Sequence, residues 1–319
     1  MILMKMSKIV LTAGCATVAL ALSACSGDTG DNSTNGTSDS SGKITVATSF
    51  YPVTWLTEQI GGDKVSVTSM TPPNVEPHDF ELAPADIATM ADADVVVYVR
   101  GFQPSMDEAV DSISGPTIID LSDAVDLQPL GAGAEEESDS DHDHSDGIEN
   151  LDPHFWLDPV RMESAAQGVE KALSEADSND SALFTDNLTK LETELSDLDA
   201  SYKTGLATCE RNTIVTGHAA FGYLANEYGL SQTSISGIDP DREPSPAEIS
   251  RVKKVIQETG TTTVFTEELV SPKTAEALAN EAGAKVEVLA TLEGQPEQGD
   301  YLSTMKDNLE TLRTALVCK

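Results

Sequence analysis

The chain has 319 residues, 54 acidic against 19 basic side chains, a net charge of −35, four cysteines and five histidines. That balance excludes nucleic acid as a partner, because binding phosphate needs a basic surface. The length suffices for two modest folded lobes, and the acid surplus suits a protein kept soluble outside the cell.

The first segment is an address. Lys5 and Lys8 are followed by an apolar stretch over 9–22, the length of a signal-peptide core and too short to span a bilayer comfortably. It ends in Leu22-Ser23-Ala24-Cys25, which resembles a bacterial lipobox with Cys25 as the acylated first mature residue. An ordinary secretory signal ahead of an unrelated cysteine is the alternative. Residues 25–42 form a tether of Ser, Gly, Asn, Asp and Thr that cannot bury enough apolar surface to order itself.

Folding therefore begins near 43. Short β-rich runs at 44–47, 65–69, 95–99 and 117–120 alternate with helical patterns at 52–61, 84–91 and 104–112. Alternation of this kind predicts an α/β lobe with a parallel sheet, here spanning 43–159. An acidic loop over 131–149 holds His142 and His144 among the acids from Glu135 to Asp146, and reads as a solvated metal-collecting tract or an inert insertion. The stretch 160–207 has few helix breakers. Leu183, Phe184, Leu188, Leu191, Leu195 and Leu198 keep the helical period, predicting a long connector helix with a shorter helix at 160–176 leading into it. A second α/β lobe follows over 208–319. It has strands at 213–215, 232–236, 262–265 and 286–289, and helices at 219–229, 246–259, 272–283 and 301–316. Once Cys25 is acylated and Cys15 removed with the signal, Cys209 and Cys318 remain to form a disulfide in an oxidising compartment.

Three histidines stand apart from the acidic loop, each in its own motif. His78 lies in Asn74-Val75-Glu76-Pro77-His78-Asp79, His154 in Asp152-Pro153-His154-Phe155-Trp156-Leu157-Asp158-Pro159, and His218 in Thr216-Gly217-His218-Ala219-Ala220-Phe221. His78 and His218 each follow a predicted strand, and ligands of open α/β sheets bind beyond the carboxyl ends of strands. His154 lies beside the predicted boundary between the lobes. A lone histidine is more often a structural residue. Three in such positions are the donors of a metal site between lobes.

At these motifs the chain resembles the metal-specific solute-binding lipoproteins of bacterial ABC importers, the cluster A-I or ZnuA/AdcA/TroA type. Arg242-Glu243-Pro244-Ser245, Phe265-Thr266-Glu267, Ser271-Pro272-Lys273 and Tyr301-Leu302-Ser303 add to the likeness, which runs from Ile44 to the C-terminus. The resemblance implies two lobes joined by a backbone helix and a monomer anchored by lipid. It also implies Zn(II) as the transported ligand, and delivery to an ABC permease driven by its ATPase. Manganese-type relatives tend to carry a carboxylate where this chain has His218, and imidazole suits zinc. Alternatives are a manganese or iron binder of the same family and a metal-binding adhesin or sensor. A secreted zinc hydrolase is a further one, against which stand the lack of HExxH and of an evident general base. Relatives often have a ligand aspartate where this chain has Ala290. The fourth position is therefore open between a water, Glu76 and Glu267, although Glu267 also reads as a structural hydrogen-bonding group at a strand end.

Overall fold

The computed structural model describes residues 42–130 and 151–319. The signal segment, Cys25, the tether up to residue 41, and His142 and His144 lie outside the described residues.

The first lobe is built from β1 (Ile44–Thr48), α1 (Tyr51–Gly61), β2 (Val65–Ser69), α2 (Pro84–Ala91), β3 (Val95–Tyr98), α3 (Pro104–Ser112) and β4 (Thr117–Asp120). Its four strands are parallel, in the order β2-β1-β3-β4. Then come α4 (Pro159–Ala176) and α5 (Ser181–Gly205). The second lobe has β5 (Thr213–Thr216), α6 (Gly222–Glu227), β6 (Ser231–Ser234), α7 (Pro246–Thr259), β7 (Thr263–Thr266), α8 (Lys273–Ala282), β8 (Lys285–Val288) and α9 (Tyr301–Leu316). Its sheet is again parallel, in the equivalent order β6-β5-β7-β8.

The inner strands explain themselves. Val95–Tyr98, Thr213–Thr216 and Thr263–Thr266 are buried at every position, as strands covered by helices on both faces must be. One large core runs from β1 and α1 through α4 and α5 to α9, so both lobes share it. Smaller clusters fill the other face of each sheet. Val96, Tyr98, Met90 and Met106 pack together in the first lobe, and Val215, Val252, Ile256 and Val264 in the second.

Within 160–207 the chain makes α4 and α5, packed against each other. The shorter α4 touches β3 and β4, whereas α5 reaches both α1 and α9. Helix α5 is thus the element that joins the lobes. Helix starts are chemically marked. Asp158 accepts a hydrogen bond from the Val160 N–H ahead of α4, and Ser245 and Glu248 form a reciprocal capping box at α7; each helix has proline at its first position.

One predicted helix is shortened. The pattern suggests 219–229, but α6 begins at Gly222. The Ala219 N–H donates to the Gly237 carbonyl, and the His218 N–H donates to Glu267 just past the end of β7. The first turn is given up to fix the chain beside His218.

Cys209 and Cys318 are joined by a disulfide across a separation of 109 residues. Closing a loop of that length stabilises by at most about 4–5 kcal/mol in the chain-entropy treatment. Replacing both cysteines by alanine is expected to lower unfolding free energy by about 2–4 kcal/mol, measured by urea titration of the oxidised protein. An unchanged midpoint would show that the bridge contributes nothing.

Candidate metal centre

Four segments end at one buried point. His78 comes from the loop after β2, His154 from the turn before α4, His218 from the loop after β5, and Glu293 from the segment after β8. Their ligand atoms all lie within 4.8 Å of one another. His218 Nε2 is 3.3 Å from His154 Nε2 and 3.3 Å from Glu293 Oε1, and His154 Nε2 is 3.6 Å from the same oxygen. All four residues are buried. His78 Nε2 has no hydrogen-bond partner and Glu293 Oε1 has only the approach of His218 Nε2, and buried polar atoms seldom go unpaired. They point at a shared centre.

Each imidazole is held from behind by its own carboxylate. Glu76 Oε1 is 2.5 Å from His78 Nδ1, Asp152 Oδ1 is 2.8 Å from His154 Nδ1, and Glu267 Oε2 is 2.6 Å from His218 Nδ1. The same three side chains also accept the backbone N–H of their histidines, at 3.1, 2.9 and 2.7 Å. A carboxylate at Nδ1 selects the tautomer with its proton there. That leaves Nε2 as the inward-facing nitrogen that a metal can take, the usual arrangement behind metal-binding histidines.

Two buried glutamines add a further tier. Gln103 donates to Thr71 Oγ1 at 2.9 Å and to the Pro77 carbonyl at 3.1 Å, tying down the His78 loop. Gln232 donates to Thr216 Oγ1 at 2.8 Å and to the His218 carbonyl at 3.1 Å.

The structure brings His78, His154 and His218 together and adds Glu293, which the sequence reading did not single out. Glu76 and Glu267, its carboxylate candidates for the fourth position, sit at Nδ1 behind the histidines instead. Ala290 has its N–H and carbonyl paired with Asn308, and the carboxylate arrives three residues later. Leu292 immediately before Glu293 has φ of 58°. This left-handed step turns the chain after Ala290. The repeated acid-Pro-His tripeptide in Glu76-Pro77-His78 and Asp152-Pro153-His154 was a legible signal for two of the supporting carboxylates.

Burial opposes charge here, and the outcome differs between the rings. Burial holds His154 neutral, well below the usual histidine range, and the neighbouring His218 and His78 reinforce this. Burial resists charging His218 too, but Glu267 and Glu293 prevail and lift it to about 10. Burial would raise Glu293, yet His218 and the other imidazoles hold it down at about 2. Burial pushes Asp152 up to about 7, against the hydrogen bond from the His154 N–H.

Against known proteins, the family model described as "ZnuA: Zinc-uptake complex component A periplasmic" matches residues 46–315. The chain belongs to the ZnuA family. The high-affinity zinc uptake system protein ZnuA of Bacillus subtilis is 38% identical over 291 residues, covering 88% of this chain and 91% of that protein. The zinc-binding protein AdcA of Streptococcus pyogenes is 35% identical over 86% of this chain, which spans only 56% of that relative. The crystal structure of the Zn(II)-bound ZnuA-like domain of Streptococcus pneumoniae AdcA matches with a TM-score of 0.72 at 31% identity. It covers 86% of this chain and 99% of the domain. The family is one of extracytoplasmic binding components, not enzymes, that work with an ABC permease and its ATPase.

In the metal-free protein His218 is expected to keep its proton well above pH 8, while His154, held down by burial and by the other two imidazoles, takes up its proton only below the usual histidine range. A raised value means the folded state holds the proton more tightly than the unfolded chain. The stability this adds is full below about 6.5 and lost as pH climbs toward about 10. Nitrogen-15 histidine spectra across pH check this. Both rings titrating near 6.5 would contradict the assigned electrostatics.

Proposed function

We propose that this protein captures Zn(II) between its two lobes on His78, His154, His218 and Glu293, and hands it to an ABC permease for high-affinity zinc uptake. The observation that carries the reading is the convergence of three back-braced Nε2 atoms and one carboxylate oxygen within 4.8 Å. Three imidazoles with one carboxylate are a borderline-soft, four-donor set suited to zinc, whereas manganese favours more oxygen ligands. With four protein donors there is no protein-free position to activate a water, which separates carriage from hydrolysis. The names and the Zn(II)-bound state of the relatives agree with this reading.

Under this reading, 43–159 and 208–319 are the lobes, 160–207 the connecting region, and 1–24 a signal peptide. Cys25 carries the lipid that holds a monomer at the membrane through the 25–42 tether. Metabolic labelling with a clickable fatty acid tests the anchor. Label lost in Cys25→Ala supports it, and label persisting there rules this cysteine out.

Replacing any one of the three histidines by alanine is expected to weaken zinc binding by more than about 100-fold, because one of four donors is lost and only a water, a weaker ligand, can take its place. Glu293→Gln is expected to weaken it by about 10-fold or more, since a charged ligand is lost. Chelator competition reads both, and unchanged affinity in His78→Ala or His218→Ala would sink the assignment. Zinc must also displace the proton held on His218, so binding at pH 7–8 is expected to release about one proton. Calorimetry in buffers of different ionisation enthalpy measures the release. Affinity falls as pH drops, and release of none would place His218 outside the site.

A further inference from the structure

The segment that delivers Glu293 has no regular structure, yet Leu289, Ala290, Thr291, Leu292 and Glu293 are all buried. Buried irregular backbone must find partners for its polar groups. Here they come from two directions. On α9, Asn308 is itself buried. Its Oδ1 accepts from the Ala290 N–H at 2.9 Å, and its Nδ2 donates to the Ala290 carbonyl at 2.8 Å. The side-chain amide thereby pairs with Ala290 as a neighbouring strand would, just past the end of β8. From the turn before α4, the Trp156 indole N–H donates to the Thr291 carbonyl at 2.8 Å. The next residue, Leu292, takes its left-handed step, a conformation that side chains other than glycine rarely adopt unless the surroundings over-determine it.

We propose that Asn308 and the Trp156 indole are positioning residues for the fourth zinc ligand. They anchor Ala290 and Thr291 so that the turn at Leu292 is forced and the Glu293 carboxylate meets the three imidazoles. Neither side chain offers an atom to the metal. Trp156 also follows His154 by two residues, so the indole ties the Glu293 arm of the second lobe to the His154 turn. The distance between these two ligands is set by one hydrogen bond as well as by the fold. This inference rests on the reading of Glu293 as a zinc ligand.

The test is a double-mutant cycle on the full mature chain. Zinc affinity is measured by chelator competition for wild type, Glu293→Gln, Asn308→Leu, Trp156→Phe, and each of the last two combined with Glu293→Gln. Asn308→Leu keeps the shape and removes both hydrogen bonds. Trp156→Phe keeps an aromatic ring and removes the N–H. Circular dichroism of the metal-free variants reports folding, and if Asn308→Leu does not fold, Trp156→Phe decides. Each variant is expected to lose about 10-fold in affinity in the wild-type background, no more than Glu293→Gln itself loses. In the Glu293→Gln background the further loss is expected to stay within about twofold, because the ligand being positioned is already gone. The d–d absorption of bound cobalt(II) in both variants is expected to move toward that of Glu293→Gln. Wild-type affinity in the variants, or an equal loss in both backgrounds, would overturn the positioning role. If Glu293→Gln itself leaves zinc affinity unchanged, the ligand assignment is what fails, and this inference falls with it.

Discussion

The structure is organised around one electrostatic requirement. Three imidazoles have to be buried with their Nε2 atoms turned toward one centre, out of reach of bulk solvent. Each ring is therefore held by a carboxylate at Nδ1, and each of those carboxylates must in turn be held. Glu76 and Asp152 solve this locally, two residues before their histidines. Glu267 solves it from just past the end of β7, 49 positions along the chain from His218. Burying this much unlike charge is costly and is tolerated only when every group is paired with good geometry. Much else follows from it, including the two glutamines behind the histidine loops, the late start of α6 and the Tyr223 hydroxyl on the Asp152 carbonyl at 2.6 Å.

The shared core has a related role. The Trp55 and Tyr301 rings stack with centroids 4.7 Å apart, and the Tyr301 hydroxyl donates to the Trp156 carbonyl. Contacts between the lobes are thus aromatic and well packed. Interiors of this kind hold discrete arrangements and do not deform smoothly. Donors from two sheets can then keep their separations without any covalent link at the centre.

Most of this architecture was legible in the sequence because it is periodic. The strand-helix alternation gave both lobes. The leucine stripe gave α5. The three histidines were legible because they were isolated and each sat beyond a strand or at the lobe boundary. Glu293 was not. It lies in a segment without period, where one left-handed residue changes which side chain faces inward, and attention to Ala290, which has no donor, passed over the carboxylate three positions later. Asn308 and Gln232 were invisible for a different reason. A single polar residue on a helix or strand looks like surface until the fold buries it. Glu267 was noticed, but its role depended on a contact between two loops that no local pattern encodes.

The disulfide at the far end of the second lobe carries a mechanical consequence. Cys209 and Cys318 close a ring around β5 through α9, and the Lys319 N–H donates to the Thr208 carbonyl beside it. Force applied along the chain from its two ends would pass through the sulfur bridge and bypass the ring. The first lobe and α5 would extend, while the span of 109 positions from Cys209 to Cys318, about 370 Å of contour at full stretch, would stay hidden. His218 and Glu293 lie inside that ring, and His78 and His154 lie on the part that can be drawn out. Under load the centre would separate along that division, with half of its donors still enclosed.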